Sequence, residues 1–388
     1  MADLIIGIES YFFSIVLSII FLLYIYLFYP IVKRSFRDKN KNRYNSLFVI
    51  IILFILSVMV VLPFADTGLY IYMPLNYFII VFFGFWTLMN VFTVFFQNPE
   101  KRSLKEIEVN KSLIDGIENE DIDRQEVFNF SLSKEGKRKI LHLLAILYIA
   151  CWIVQPIIFV SVYYFAYPAV INTVSTEQFT NISFYGAAEI PIEVFLQNGV
   201  VLQFFVLICT FYVSADAELL RLRFPEYRFP FKKTLQTTRR ATEVSDISSH
   251  LHLMIALAIS TLMLTFTSTD RIAGCWAQMG IVCISTFGDL TAALIGRKFG
   301  KHKWPIHKGK SLEGSAAGMI VAFLTSFVFL GPVLALIGTL VFLFTDIILS
   351  KLAISDNIAN PILLGITFKI LIFLVNPLIP VLPYPTYW

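Results

Sequence analysis

The sequence predicts an all-α polytopic membrane protein with about ten transmembrane helices and both termini on the non-cytoplasmic side. Three observations carry that expectation. The 388 residues are 57% hydrophobic and only 15% charged, against roughly 25% charged in soluble domains. Ten apolar runs are long enough to cross about 30 Å of hydrocarbon. The basic residues gather in alternate connections, the pattern that sets orientation in a bilayer. Period-2 alternation is absent, and an open sheet cannot cross lipid, so the spans are helices.

The runs cover 9–31, 46–64, 69–97, 139–167, 193–214, 250–268, 271–295, 314–331, 333–354 and 359–381. Prolines in the third and fourth favour a tilt or kink. Lys and Arg number six in 33–43, nine in 101–139, seven in 221–240 and six in 297–310, with Lys351 further on. Ten alternating spans place all of these on one side and leave only Arg271 and Lys369 elsewhere. Residues 169–192 contain no Lys or Arg and belong to the other side, where Asn181-Ile182-Ser183 is a glycosylation sequon. The chain divides into a three-span unit (1–97), a polar cytoplasmic insert (98–137) and a seven-span region (138–388). The last holds every polar group of interest.

Composition also excludes. Net charge is +4, and no continuous soluble basic domain exists to track a nucleic-acid backbone. Cys151, Cys209, Cys275 and Cys283 all lie in apolar runs without C-x-x-C spacing. Neither a zinc site nor a disulfide framework is indicated. The N-terminus lacks the basic n-region of a signal peptide, with Asp3 and Glu9 in its place.

The seventh span carries Gly288-Asp289 and is followed by Gly296-Arg297, Gly300-Lys301 and Lys308-Gly309-Lys310-Ser311-Leu312-Glu313-Gly314-Ser315. A carboxylate at membrane depth is costly and needs a partner. Mg²⁺ with phosphate would supply one, and so would Arg297. The glycines permit a sharp turn and close backbone approach. Arg297, Lys301, Lys308 and Lys310 suit polyphosphate oxygens, whereas Lys298, Lys303, His302 and His307 equally suit a solvated loop. Ser311 stands where it would cap the eighth span, whose free amides favour an anion.

Other groups are less specific. Arg138 and His142 are four apart, on one face of the fourth span. They serve either as a membrane anchor or as a phosphate contact. Glu218 and Arg221 can pair on a helix. Arg239-Arg240 and Glu243 lie in a basic loop that is either a solvated surface or a lid. Asp346 and Ser355-Asp356-Asn357 flank the end of the ninth span. Gly309-Lys310-Ser311 ends like a Walker A loop, but Trp304 stands in the place of its first glycine.

Taken in order, these pieces resemble the polyprenol kinase family, which includes dolichol, phytol and farnesol kinases and yeast-type CTP-dependent diacylglycerol kinases. The matching series is Arg138-Lys139-x-x-His142, Glu218-x-x-Arg221, Arg240-x-x-Glu243, Gly288-Asp289, Gly296-Arg297-x-Phe299-Gly300-Lys301, Lys310-Ser311-Leu312-Glu313-Gly314-Ser315, and Asp356-Asn357 with Pro361. The resemblance covers about 138–388. Two departures stand out: Asp346 where the family commonly has Glu, and Ser355 where it often has a first acid before Asp-Asn.

The resemblance implies CTP as phosphoryl donor, Mg²⁺ or another divalent cation, and a long-chain isoprenoid alcohol as acceptor. It implies catalytic roles for Asp289, Arg138 and His142. Nucleotide contacts would come from Arg297, Lys301, Lys308, Lys310, Ser311, Glu313, Gly314, Arg240 and Glu243, and metal contacts from Asp289, Glu313 and Asp356. The expected location is a multi-pass membrane site facing the cytoplasm, in the endoplasmic reticulum of a eukaryote or the plasma membrane of a prokaryote. Diacylglycerol or phytol/farnesol kinases and the related phosphatidate cytidylyltransferases are the alternatives. The usual C-terminal D-R-x-D signature of the cytidylyltransferases is missing. A non-catalytic lipid transporter is more remote, because the charges gather at one face.

Overall fold

The computed structural model describes residues 2–40, 43–61, 81–89, 92, 192–224, 247–266, 271–307, 309–349 and 354–372. These residues are almost entirely helical. Helix α1 is Ala2–Arg37, α2 is Arg43–Val61 and α3 is Ile192–Arg223. Helix α4, Ser249–Thr261, continues into a π-helical turn, Leu262–Phe266. Helix α5, Arg271–Cys283, passes through a second π turn, Ile284–Gly288, into α6, Asp289–Phe299. Helix α7, Leu312–Phe344, ends in a third π turn, Thr345–Leu349, and α8 is Asp356–Ile370. In lipid a helix satisfies its own backbone polar groups, which is why such apolar sequences take this form.

Among the described residues four stretches are long and apolar enough to cross a membrane: Ile15–Arg37, Arg43–Val61, Ala273–Phe299 and Leu312–Leu349. The last is folded back on itself. Gly331 has φ 69° and ψ 179°, with Pro332 next. A positive φ favours glycine, and proline opens the second arm without sacrificing an amide bond. A methyl group placed on Gly288 would stand 3.0 Å from Ala322 and 3.4 Å from Phe342, one residue from each arm. The two arms therefore run side by side, as the separate runs 314–331 and 333–354 lead one to expect. The first arm is roughly 28 Å long at 1.5 Å per residue.

Two apolar cores hold the helices. One joins Phe21 and Phe28 of α1, Leu53 and Leu56 of α2, Phe211 of α3, Leu251 and Ile255 of α4, and Ile358 of α8. The other joins Leu253 and Leu257 of α4, Met279 and Val282 of α5, Leu330 and Leu334 of α7, and Leu364 and Phe368 of α8. Helices α4 and α8 contribute to both cores and link the N-terminal hairpin to the region that carries the site. The expected span 139–167 and the insert 98–137 lie outside the described residues.

Candidate active site

Asp289 is the first residue of α6 and is 7% exposed. The π turn before it widens the helix where Ser285 faces inward, and Thr286 Oγ1 donates to the Val282 carbonyl at 2.6 Å. Such turns recur at functional sites because they displace a side chain from the regular helical register. The third π turn does the same for Thr345 and Asp346, of which Asp346 is 2% exposed.

The connection 300–311 folds back towards these carboxylates. Its backbone closes through Leu312 N to His302 O at 2.8 Å, Trp304 N to Lys310 O at 3.1 Å, and Lys310 N to His307 O at 3.0 Å. Ser311 caps α7, its Oγ accepting from Gly314 N at 3.1 Å. The three glycines around this cap allow α6 and α7 to approach closely. A methyl on Gly314 would lie 2.7 Å from Ala292 O and 2.7 Å from Gly296 Cα. The packing delivers Lys310 to the acids: its Nζ stands 2.5 Å from Asp346 Oδ1 and 3.4 Å from Asp356 Oδ2. Partial burial disfavours the Lys310 cation, but Asp356, Asp346 and Asp289 outweigh that cost and raise its pKa above the ordinary value.

Asp356 opens α8, its Oδ1 accepting from Asn357 N at 3.0 Å. One turn on, Asn360 accepts from Thr345 Oγ1 at 3.3 Å and donates to Ser285 Oγ at 3.2 Å. A small cavity lies among Ser285, Asp289, Phe342, Thr345, Asp346, Asp356, Asn357 and Asn360. Three elements thus converge, each bringing a carboxylate: α6, the third π turn and the start of α8.

Of the residues expected at the site, Asp289 and Asp356 line the cavity and Lys310 pairs with its acids. Ser311 and Gly314 form the α7 cap. Arg297 lies in the last turn of α6 and Lys301 just beyond it. Glu313 is held elsewhere: its Oε1 meets His302 Nδ1 at 2.7 Å and His302 N at 3.1 Å, and it does not line the cavity. Arg138, His142, Arg240, Glu243 and Lys308 lie outside the described residues. Ser285, Thr345 and Asn360 are additional lining groups. The i,i+4 spacing of Asp356 and Asn360 was the one available signal for the last of these.

The donor set consists of hard oxygens suited to Mg²⁺. Among the described residues no three His, Cys, Asp or Glu side chains group closely enough to hold a metal by themselves.

No protein-family model matches the chain, and no solved structure matches it. The chain is similar to a lipid kinase. It is 30% identical over 125 residues to CTP-dependent diacylglycerol kinase 1 of Saccharomyces cerevisiae, a match covering 32% of this chain. The chain spans about 40% of that relative's length.

Proposed function

We propose that the chain is a membrane-embedded kinase that transfers the γ-phosphoryl group of CTP to the hydroxyl of a lipid alcohol. The observation that carries this reading is the convergence of Asp289, Asp346 and Asp356 with Lys310 around one cavity. Phosphoryl transfer requires alignment and charge neutralisation more than covalent chemistry. The similarity to a CTP-dependent diacylglycerol kinase supports the donor and the reaction class.

In this reading Asp289 accepts the alcohol proton as the new P–O bond forms and the bond to CDP breaks. Lys310, with Arg297 and Lys301 further out, offsets triphosphate charge. Asp346 and Asp356 would hold Mg²⁺, which when bound supplies further neutralisation of the phosphates. The basic 297–310 segment faces the cytoplasm, where CTP is found, and the acceptor's tail stays in lipid. We place Arg138, His142, Arg240, Glu243 and Lys308 around the same nucleotide.

The acceptor we propose is a polyisoprenoid alcohol such as dolichol, on the ground of the additional N-terminal spans and the Asp356-Asn357 turn. Diacylglycerol is the second reading, favoured by the relative's name. Purified protein in detergent micelles, given γ-labelled CTP or ATP with dolichol, diacylglycerol or phytol, separates them. We expect label in the lipid and release of CDP with CTP. Label transfer from ATP alone would overturn the donor, pyrophosphate release would indicate cytidylyl transfer, and label only in diacylglycerol would replace the acceptor.

A further inference from the structure

A residue from the far end of the sequence holds the turn that presents Asp356. Asn45 lies in the first turn of α2 and is 4% exposed. Its Oδ1 accepts from Ser355 N at 2.8 Å, across 310 positions of chain. Ser355 is the N-cap residue of α8, with no side-chain cap of its own. Its carbonyl accepts from Ile358 N and Ala359 N, each at 3.0 Å. Both backbone groups of Ser355 are therefore fixed, the amide by α2 and the carbonyl by α8. The next side chain is Asp356, which reaches Lys310.

The two helices also share an apolar core. Ile358, two residues beyond Asp356, sits in one apolar core with Val49, Ile52 and Leu53 of α2. Both helices pack on α4, and the Asn45–Ser355 hydrogen bond ties α2 directly to the start of α8. A part-buried amide that loses its acceptor must recover it from water or move. Movement here passes straight to the Asp356 carboxylate.

We infer that Asn45 is a positioning residue for the Asp356 turn, which makes the α1–α2 hairpin part of the site. The catalytic consequence rests on the kinase reading; the structural link does not. The test pairs two measurements on the full-length protein in detergent. Hydrogen exchange of peptides containing Ser355 is compared for wild type, Asn45→Ala, Asn45→Asp and Ser46→Ala. We expect Asn45→Ala to speed exchange at Ser355 about tenfold or more, with Asp, which keeps the acceptor oxygen, and Ser46→Ala near wild type. In the kinase assay Asn45→Ala should raise the KM for Mg·CTP several-fold, because a metal-holding carboxylate has shifted. A merely destabilised protein would instead lose active fraction at unchanged KM. Unchanged exchange in Asn45→Ala, or loss of rate without a rise in KM, would overturn the inference. Altered exchange in a protein without kinase activity would keep the structural link and reject only the reaction.

Discussion

Lys310→Met tests the centre of the site, because it keeps the length of the stem and deletes the charge. Lys310 Nζ lies 2.5 Å from Asp346 and 3.4 Å from Asp356. At an effective dielectric of about 20 the two attractions are about 7 and about 5 kcal/mol before any cost is subtracted. Mutual repulsion of the acids and desolvation remove most of that. Breaking a buried pair by deleting one partner typically costs roughly 3–5 kcal/mol. Lys310 keeps 27% of its side-chain exposure while Asp346 keeps 2%, so the lower end of that range, about 3 kcal/mol, is the expected loss. The double variant with Asp346→Asn removes the stranded charge and should recover about 2 kcal/mol, a coupling typical of contacting residues. The assay is unfolding by SDS titration in mixed micelles for the four proteins of the cycle. A Lys310→Met protein within about 0.5 kcal/mol of wild type, as for an ordinary surface change, would refute the ion pair. Strict additivity of the two losses would do the same.

Three further outcomes follow. Gly314→Ala forces a methyl to 2.7 Å from two backbone atoms; overpacking of this kind costs about 1–3 kcal/mol, and we expect a lower unfolding midpoint with at least tenfold weaker transfer. Asp289→Asn should reduce label transfer by about a hundredfold or more, on the scale of general-base catalysis, without lowering the unfolding midpoint; full activity would remove Asp289 from the mechanism. Because Lys310 has a raised pKa in the fold, its contribution is complete below its ordinary value of about 10.4 and is lost only as pH rises through the higher folded value. The stability deficit of Lys310→Met should therefore stay constant between about pH 6 and about pH 9, and a deficit that shrinks across that window would contradict the pairing.

Part of this convergence was legible because ionisable groups are conspicuous in an apolar chain. Asp289, Lys310 and Asp356 each interrupt or border a hydrophobic run, and the structure brings them together. The reversal at Gly331-Pro332 was legible as a short break between two runs. Glu313 stands apart from that convergence: the fold-back after α6 puts His302 within 2.7 Å of its carboxylate, a pairing that its place in the motif did not announce. The three π turns left no signature in composition, yet two of them aim Ser285 and Asp346 at the cavity. A one-residue change in helical register is a property of packing, which a periodic pattern averages away. The Asn45–Ser355 bond was equally invisible, since nothing local marks two residues 310 positions apart as neighbours.

The position of Lys310 bears on how such a site stays folded before its ligand arrives. Asp289, Asp346 and Asp356 facing one small cavity would repel one another in a low-dielectric setting and favour protonation or separation of the helices. A single cation between two of them removes most of that penalty. It stands on the connection between α6 and α7 and not on a helix, so the close approach of those helices delivers it while its long side chain stays free to turn. A divalent cation arriving with a triphosphate would take over the neutralising role and leave the lysine's donors to phosphate oxygens, with the helices in place. Had the same charge been built into α6 or α7, exchanging partners would have required a helix to move. A flexible stem on a hydrogen-bonded loop makes the exchange a matter of side-chain rotation, which occurs far faster than domain motion.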